Sequence, residues 1–341
     1  MPTSPLIILL AAALQTVPPR PVLLTQSVGT TALLQAVSAV DATHVWLSGH
    51  AGTFARSDDA GATWFSSAIA GSAHLQWRDI HATSPTSAWV MAAGNGPASA
   101  IHATRDGGRT WTVQHVNADS AAFYDCMAFW PDGRGFVFSD AVRGRMPYIA
   151  TENGTAWTVS LDRLPAAVPN EGGFAASGSC ALTLGRTHGW IATGAGTVPR
   201  VLRTMDGGRN WSAAEVPLVR GGASGGTSLA FRDTLHGAVL GGSIDNRATG
   251  PRTALTRDGG LTWQTAGEPT FAGAVYGAAY AHVGDAWVLV AVGPGGASLS
   301  HDDGATWLPM AEGAFWSVGF AADGTGWLAG PQGRVVRVRW E

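Results

Sequence analysis

The chain contains no lysine; all 21 of its Lys-plus-Arg positions are arginine. That excludes Schiff-base and amine-nucleophile chemistry, and it makes every fixed cation a planar guanidinium suited to carboxylates and aromatic faces. Charge of either sign is scarce, 13% of 341 residues with a net charge of -3, so neither a nucleic-acid grip nor a solvating acidic tail is present. Cysteine is limited to Cys126 and Cys180, with no Cys-x-x-Cys-His haem site. No Gly-x-Gly-x-x-Gly loop opens a helix, and no spacing of His, Cys or acids has the form of a metal site. No cofactor and no metal are expected. Sustained helical periodicity is missing as well. The apolar run Leu6 to Leu14 spans nine residues, too short to cross a bilayer. Its Ala11-x-Ala13 has the form of a leader cleavage site, although no Arg precedes Arg20. Residues 1–20 therefore read as a signal peptide or, if retained, a membrane-dipping anchor.

What the chain has in abundance is repetition. Thr256-Arg257-Asp258-Gly259-Gly260-Leu261-Thr262-Trp263 follows the frame Ser/Thr-x-Asp-x-Gly-x-Thr-Trp, which returns at 57–64, 104–111, 204–211 and 300–307, with a shortened copy at 151–157. The marker residues Asp59, Asp106, Asn153, Asp206, Asp258 and Asp302 lie 47, 47, 53, 52 and 44 residues apart, a period used by β-propeller blades. Asp folds its carboxylate onto backbone N–H groups of its own turn, Gly supplies positive φ, and Thr-Trp resumes a strand with a ring to bury. The six side chains read as structural locks on hairpin corners. Blades would hold them too far apart for joint acid-base or metal chemistry.

A second signature marks each unit: an apolar strand, a short polar turn, then a strand opening on a small residue and an aromatic, as at Ala88-Trp89, Gly135-Phe136, Gly189-Trp190, Ala286-Trp287 and Gly326-Trp327, with Leu235-His236-Gly237-Ala238 of the fifth unit lacking the ring. The pattern predicts four strands per unit and seven units, near 33–69, 75–116, 122–161, 179–216, 227–266, 274–310 and 315–340. The last is one strand short. Pro21 to Val28 precedes the first unit without a partner, and pairing it beside 334–340 closes the ring and removes two strand edges. The expectation is an all-β, seven-bladed propeller over 21–341. Cys126 and Cys180 occupy the same slot of consecutive inner strands; the pair is open to two readings, a disulfide or two separately buried thiols.

In such a blade the loop between the second and third strands and the loop to the next blade open on one side. The long connections, 140–147, 162–178, 194–199, 217–226 and 243–251, fall in those two classes, so one face is elaborated and the other is short and locked. Function on a rigid scaffold is usually carried by such loops. Arg143, Arg145, Arg163, Arg200, Arg220, Arg247 and Arg252 gather on them, a positive surface suited to an acidic partner patch. Asp79, His81, Asp125 and His282 lie on or just beyond inner strands, where single copies read as hydrogen-bonding groups around channel water.

The two signatures together resemble the Asp-box (BNR) propellers, and within them the seven-bladed photosystem II assembly and stability factors. Gly189-Trp190 with Asp206-Gly207-Gly208, and Gly326-Trp327, carry that resemblance. It implies a periplasmic or lumenal, non-catalytic protein, peripheral to the membrane, that docks on an integral membrane complex, a photosynthetic reaction centre or its antenna; no nucleic acid and no small-molecule substrate are implied. The alternative is a sialidase-like glycosidase. That chemistry needs three substrate-binding arginines, a Tyr nucleophile with a carboxylate beside it, and an acid. Tyr124-Asp125 is the nearest such pair, and the chain has only six Glu.

Overall fold

The computed structural model describes residues 17–341. The expected leader falls mostly outside them. Among the described residues the strands form seven four-stranded antiparallel sheets. Six are consecutive along the chain, at 34–68, 77–116, 124–160, 181–215, 224–265 and 277–311. The seventh takes three strands from 317–340 and its outermost strand from Pro21–Ser27. That strand pairs with Arg334–Trp340 in full register, Pro21 opposite Trp340 and Ser27 opposite Arg334, and the ladder runs one step further through mutual Arg20–Glu341 backbone bonds of 2.9 and 3.0 Å. The seventh blade needs no corner, because its third and fourth strands are not consecutive in sequence. This is why the frame appears six times in a seven-bladed ring.

The apolar residues form seven clusters, each shared by two neighbouring blades. The second strand of a blade is therefore packed on both faces, and Val45–Gly49, Ala88–Ala92, Gly135–Ser139 and Gly237–Ser243 are buried throughout. Outer strands such as Phe65–Ala68 face solvent.

The corners act as the sequence predicts and also join blades. In the five full copies the first Ser/Thr hydroxyl donates to the Asp Oδ1 and accepts the N–H of the Gly four residues on, at 2.7–3.0 Å. The carboxylate accepts the N–H of the residue four further along at 2.8–2.9 Å and that residue's side chain at 2.6–2.7 Å. In the short copy the Asn153 amide oxygen accepts the Thr155 N–H and hydroxyl at 3.0 and 2.6 Å. Each fixed corner lies against the preceding blade. Trp89 Nε1 donates to the Gly154 carbonyl at 2.7 Å and Trp190 Nε1 to Gly259 at 2.9 Å. At Gly154, with φ +72°, a Cβ would stand 2.4 Å from the Trp89 ring; at Gly108, with φ +82°, 2.4 Å from Phe54. Only glycine permits both the turn and the contact.

Candidate functional site at the channel mouth

The inner strands carry a repeated irregularity. The pairing register slips by one residue between Leu34 and Ala36, Trp77 and Asp79, Tyr124 and Cys126, and Gly226 and Ser228. These are β-bulges at one height in four blades, a device that re-aims a side chain. The extra residues are Gln35, Arg78, Asp125 and Thr227; the matching residues of the other blades are Ser179, Tyr276 and Trp316. Five of these seven, Gln35, Arg78, Asp125, Tyr276 and Trp316, line one cavity of about 500 Å³. His50, Asp140, Ala195 and Ile244 of the loops between second and third strands reach the same cavity, as do Leu33, Phe123, Phe174 and Gly222 of the connections between blades. The two elaborated loop classes thus meet at one end of the ring, around its mouth.

The longest connection does not project outward as a surface excursion. From Glu171 to Ser179 it crosses the channel as a strap bonded to six blades. Gly172 and Gly194 exchange backbone bonds at 3.1 and 2.8 Å. Gly173 N–H donates to Asp125 Oδ2 and Asp140 Oδ1 at 3.2 and 3.1 Å. Arg78 and Gln35 donate to the Ala175 and Ala176 carbonyls at 3.3 and 3.2 Å, Ser177 donates to the Tyr276 carbonyl at 2.6 Å, and the Ser179 and Ser228 hydroxyls lie 2.8 Å apart. The reason is steric and polar at once. A Cβ at Gly172 would meet Asp140 Oδ1 at 1.8 Å, at Gly173 the Asp125 carboxyl at 2.6 Å and at Gly178 Asp79 Oδ1 at 2.3 Å, so glycines let the backbone lie directly on three acids. Residues 173–176 border the mouth cavity, and 177–179 border a second one of about 280 Å³ deeper in the channel, which Asp79 and His81 also line.

Next to the strap, Cys126 and Cys180 are joined by a disulfide, Cα–Cα 5.8 Å. The acids beneath it are perturbed. Burial pushes Asp79 up to about 8, although Met127 N–H donates to it at 2.6 Å. Burial and the neighbouring Asp140 hold Asp125 well above the carboxylate range, and burial raises Asp140 to about 6. Burial also lowers His81 to about 4. His282 stands apart from these groups, exposed and against the Trp287 ring at 4.4 Å. Tyr124 is 1% exposed, with its hydroxyl 2.8 Å from His115 Nε2, a packed position rather than an open nucleophile. No group of three or more acids, His or Cys that could hold a metal ion occurs among the described residues, nor does any helix long and apolar enough to cross a membrane.

The loop arginines divide in two. Arg200 clamps the fully buried Glu171 carboxylate, bonding Oε1 at 2.8 Å and also Oε2. Arg252 binds Glu268 at 2.9 Å and the carbonyls of Pro269, Phe271 and Gly273. Both brace their loops from within. Arg143 and Arg247 keep 81% and 88% of their side chains exposed, and Arg145 pairs with Asp162 at 2.7 Å. Arg163 reaches the Arg209 carbonyl on the corner of the fourth blade, and Arg220 is exposed. Sequence reasoning missed Gln35, Arg78, Tyr276 and Trp316. The signal was available: each stands one place before the slot that aligns Cys126 with Cys180.

By sequence the chain matches no protein-family model and no curated protein. By structure it is similar to YCF48 bound to a D1 peptide, with a TM-score of 0.65 at 16% identity over 95% of this chain and 96% of that one. YCF48 from Cyanidioschyzon merolae matches with a TM-score of 0.60 at 15% identity, covering 92% and 98%. The WD40 repeats of RRP9 match at 0.62 and 11% identity, covering 94% and 97%. The chain is a seven-bladed β-propeller with structural similarity to YCF48.

Proposed function

We propose that this propeller is a non-catalytic scaffold, exported from the cytoplasm, that docks its loop face on a membrane-embedded protein complex of the photosynthetic type and assembles or stabilises it. The observation that carries the reading is the convergence of both elaborated loop classes on one end of a rigid ring. The opposite end is closed by short turns and locked corners. The likeness to a propeller bound to a D1 peptide supports the choice of partner, and a disulfide in a chain with two cysteines supports an oxidising compartment. Arg143, Arg145, Arg220 and Arg247 would meet an acidic patch, with Arg163 at its margin. Such contacts set encounter rate and register more than affinity.

Gentle solubilisation of native membranes, separation of complexes by size and mass spectrometry of the fractions test this directly. The chain is expected to comigrate with a pigment–protein complex, and the Arg143→Glu/Arg145→Glu/Arg247→Glu variant to leave it as salt is raised. Migration of the wild-type chain as a free monomer under all conditions removes the stable-subunit reading. An N-terminal peptide starting at Leu14 or later would establish leader removal.

A further inference from the structure

The mouth cavity contains polar atoms that the fold does not use. Gln35 Oε1, His50 Nε2 and Asp125 Oδ1 are buried and have no hydrogen-bond partner among the described residues. Gln35 and Asp125 are themselves 3% and 1% exposed. Leaving such atoms unpaired is costly, and here two acceptors, on the bulges of the first and third blades to either side of Arg78, belong to residues that line one cavity. Four aromatic rings share the wall: Tyr276 and Trp316 meet edge to face at 5.1 Å, and Phe123 and Phe174 line it too.

We propose that this cavity binds an organic cation, an alkylammonium or guanidinium group, which donates to Asp125 Oδ1 and Gln35 Oε1 and lies against the Tyr276 and Trp316 rings. The charged groups facing the site are Arg78, Asp125 and Asp140. Arg78 is already engaged, with Nε and Nη2 on Gln76 Oε1, Nη1 on the Ala175 carbonyl and its guanidinium 5.9 Å from the Phe123 ring. It offsets the single charge that the acid pair carries at neutral pH, so a cation is favoured by the unpaired acceptors and the rings and not by a net negative charge. His50 is kept neutral by burial and by Arg78. Strap residues 172–179 bring no charged side chain, and the nearby Glu171 is spent on Arg200 and Thr193. An anion entering here meets two acids. A cation meets unpaired acceptors and π faces, which attract it more strongly out of water. The buried acid pair holds one proton between its members at neutral pH, and the cation takes that proton's place. Binding one cation therefore releases one proton to solvent, and no bond other than O–H is broken. This site is independent of the docking reading, because small cations probe it without any partner.

The test is calorimetric titration of the full chain with butylammonium and butylguanidinium chloride, at neutral pH in two buffers of different ionisation enthalpy. Saturable binding with net proton release is expected, weakened about tenfold or more in Asp125→Asn. Should that variant lose its fold, Trp316→Leu, which alters the wall but none of the strap's bonds, is expected to weaken binding about threefold to tenfold. A capped lysine tripeptide identifies the source: tighter binding than butylammonium assigns the group to a partner's side chain, equal binding to a free amine. The proposal is overturned if butyrate binds in preference to the cations, if butanol binds equally well, or if neither cation saturates the site.

Discussion

Asp residues do opposite work at the rim of the blades and in the channel, and the difference is one of solvation. Hydrogen bonds from the Thr63 side chain and N–H pull Asp59 down to about 2, and those from Thr110 do the same for Asp106. At Asp258 burial pushes upward, and the bonds from Thr262, Thr256 and Leu261 together outweigh it and give the same result. These groups are ionised more readily folded than unfolded, so their contribution is complete above the unfolded carboxylate range and is lost as pH falls from about 4 to about 2. Asp79 has the reverse sign. With its folded value near 8, the folded chain holds a proton that the unfolded chain releases, so its contribution is present at acid pH and is lost as pH rises from about 4 through 8. Wild-type Tm is expected to fall between pH 5 and pH 8.5. Asp79→Asn, which keeps an acceptor for Met127 N–H, should flatten that slope and gain roughly 1–2 kcal/mol at pH 8.5, about 1–3 °C. An Asp79→Asn slope equal to the wild-type one would show that this acid is not buried protonated, since the comparison cancels the opposite-signed contribution of His81. The corner residues were legible because their partners lie within four residues. Arg200 and Arg252 were not legible as internal braces, because Glu171 is 29 residues from its Arg and three carbonyls recruited by Arg252 carry no sequence signature.

At the scale of elements, strands and blade limits follow from local patterns, and the sequence reading places all seven units. The strap does not follow. A glycine- and serine-rich stretch of that length reads as a surface loop; what draws Glu171–Ser179 inward is a set of polar partners, Asp125 and Asp140 as acceptors and Gln35 and Arg78 as donors, brought together only after the first three blades have formed. The Cys126–Cys180 bond fastens the strap's end to the third blade, across a sequence separation of 54. Chain entropy puts its contribution at about 4 kcal/mol, and its local effect falls on the strap. The Cys126→Ser/Cys180→Ser variant is expected to lower Tm by roughly 6 °C and to expose residues 161–178 to limited proteolysis while the other loops remain intact. Cleavage distributed evenly around the ring would mean that the disulfide stabilises the whole molecule and not the strap.

Over the whole molecule there is no central core to hold the blades, because the channel occupies the axis and the apolar contacts lie between neighbours. An open array of such units would unfold from its ends, as other stacked repeats do. Closure removes the ends. It rests on Pro21–Ser27, whose Leu23 packs against the cluster between the sixth and seventh blades. Deleting residues 1–28 leaves Arg334–Trp340 as a bare edge, ready to pair with another chain. That variant is expected to unfold over a broader, lower transition and to form concentration-dependent oligomers in light scattering, and a synthetic peptide of residues 20–28 should restore a monomer with a single sharp transition. If the truncated chain stays monomeric and melts as sharply as the full one, the blade interfaces alone suffice and the strand is an accessory. The count of units with one strand missing at one end and one spare at the other made this closure legible, because it depends on arithmetic along the chain and not on any side chain's partner.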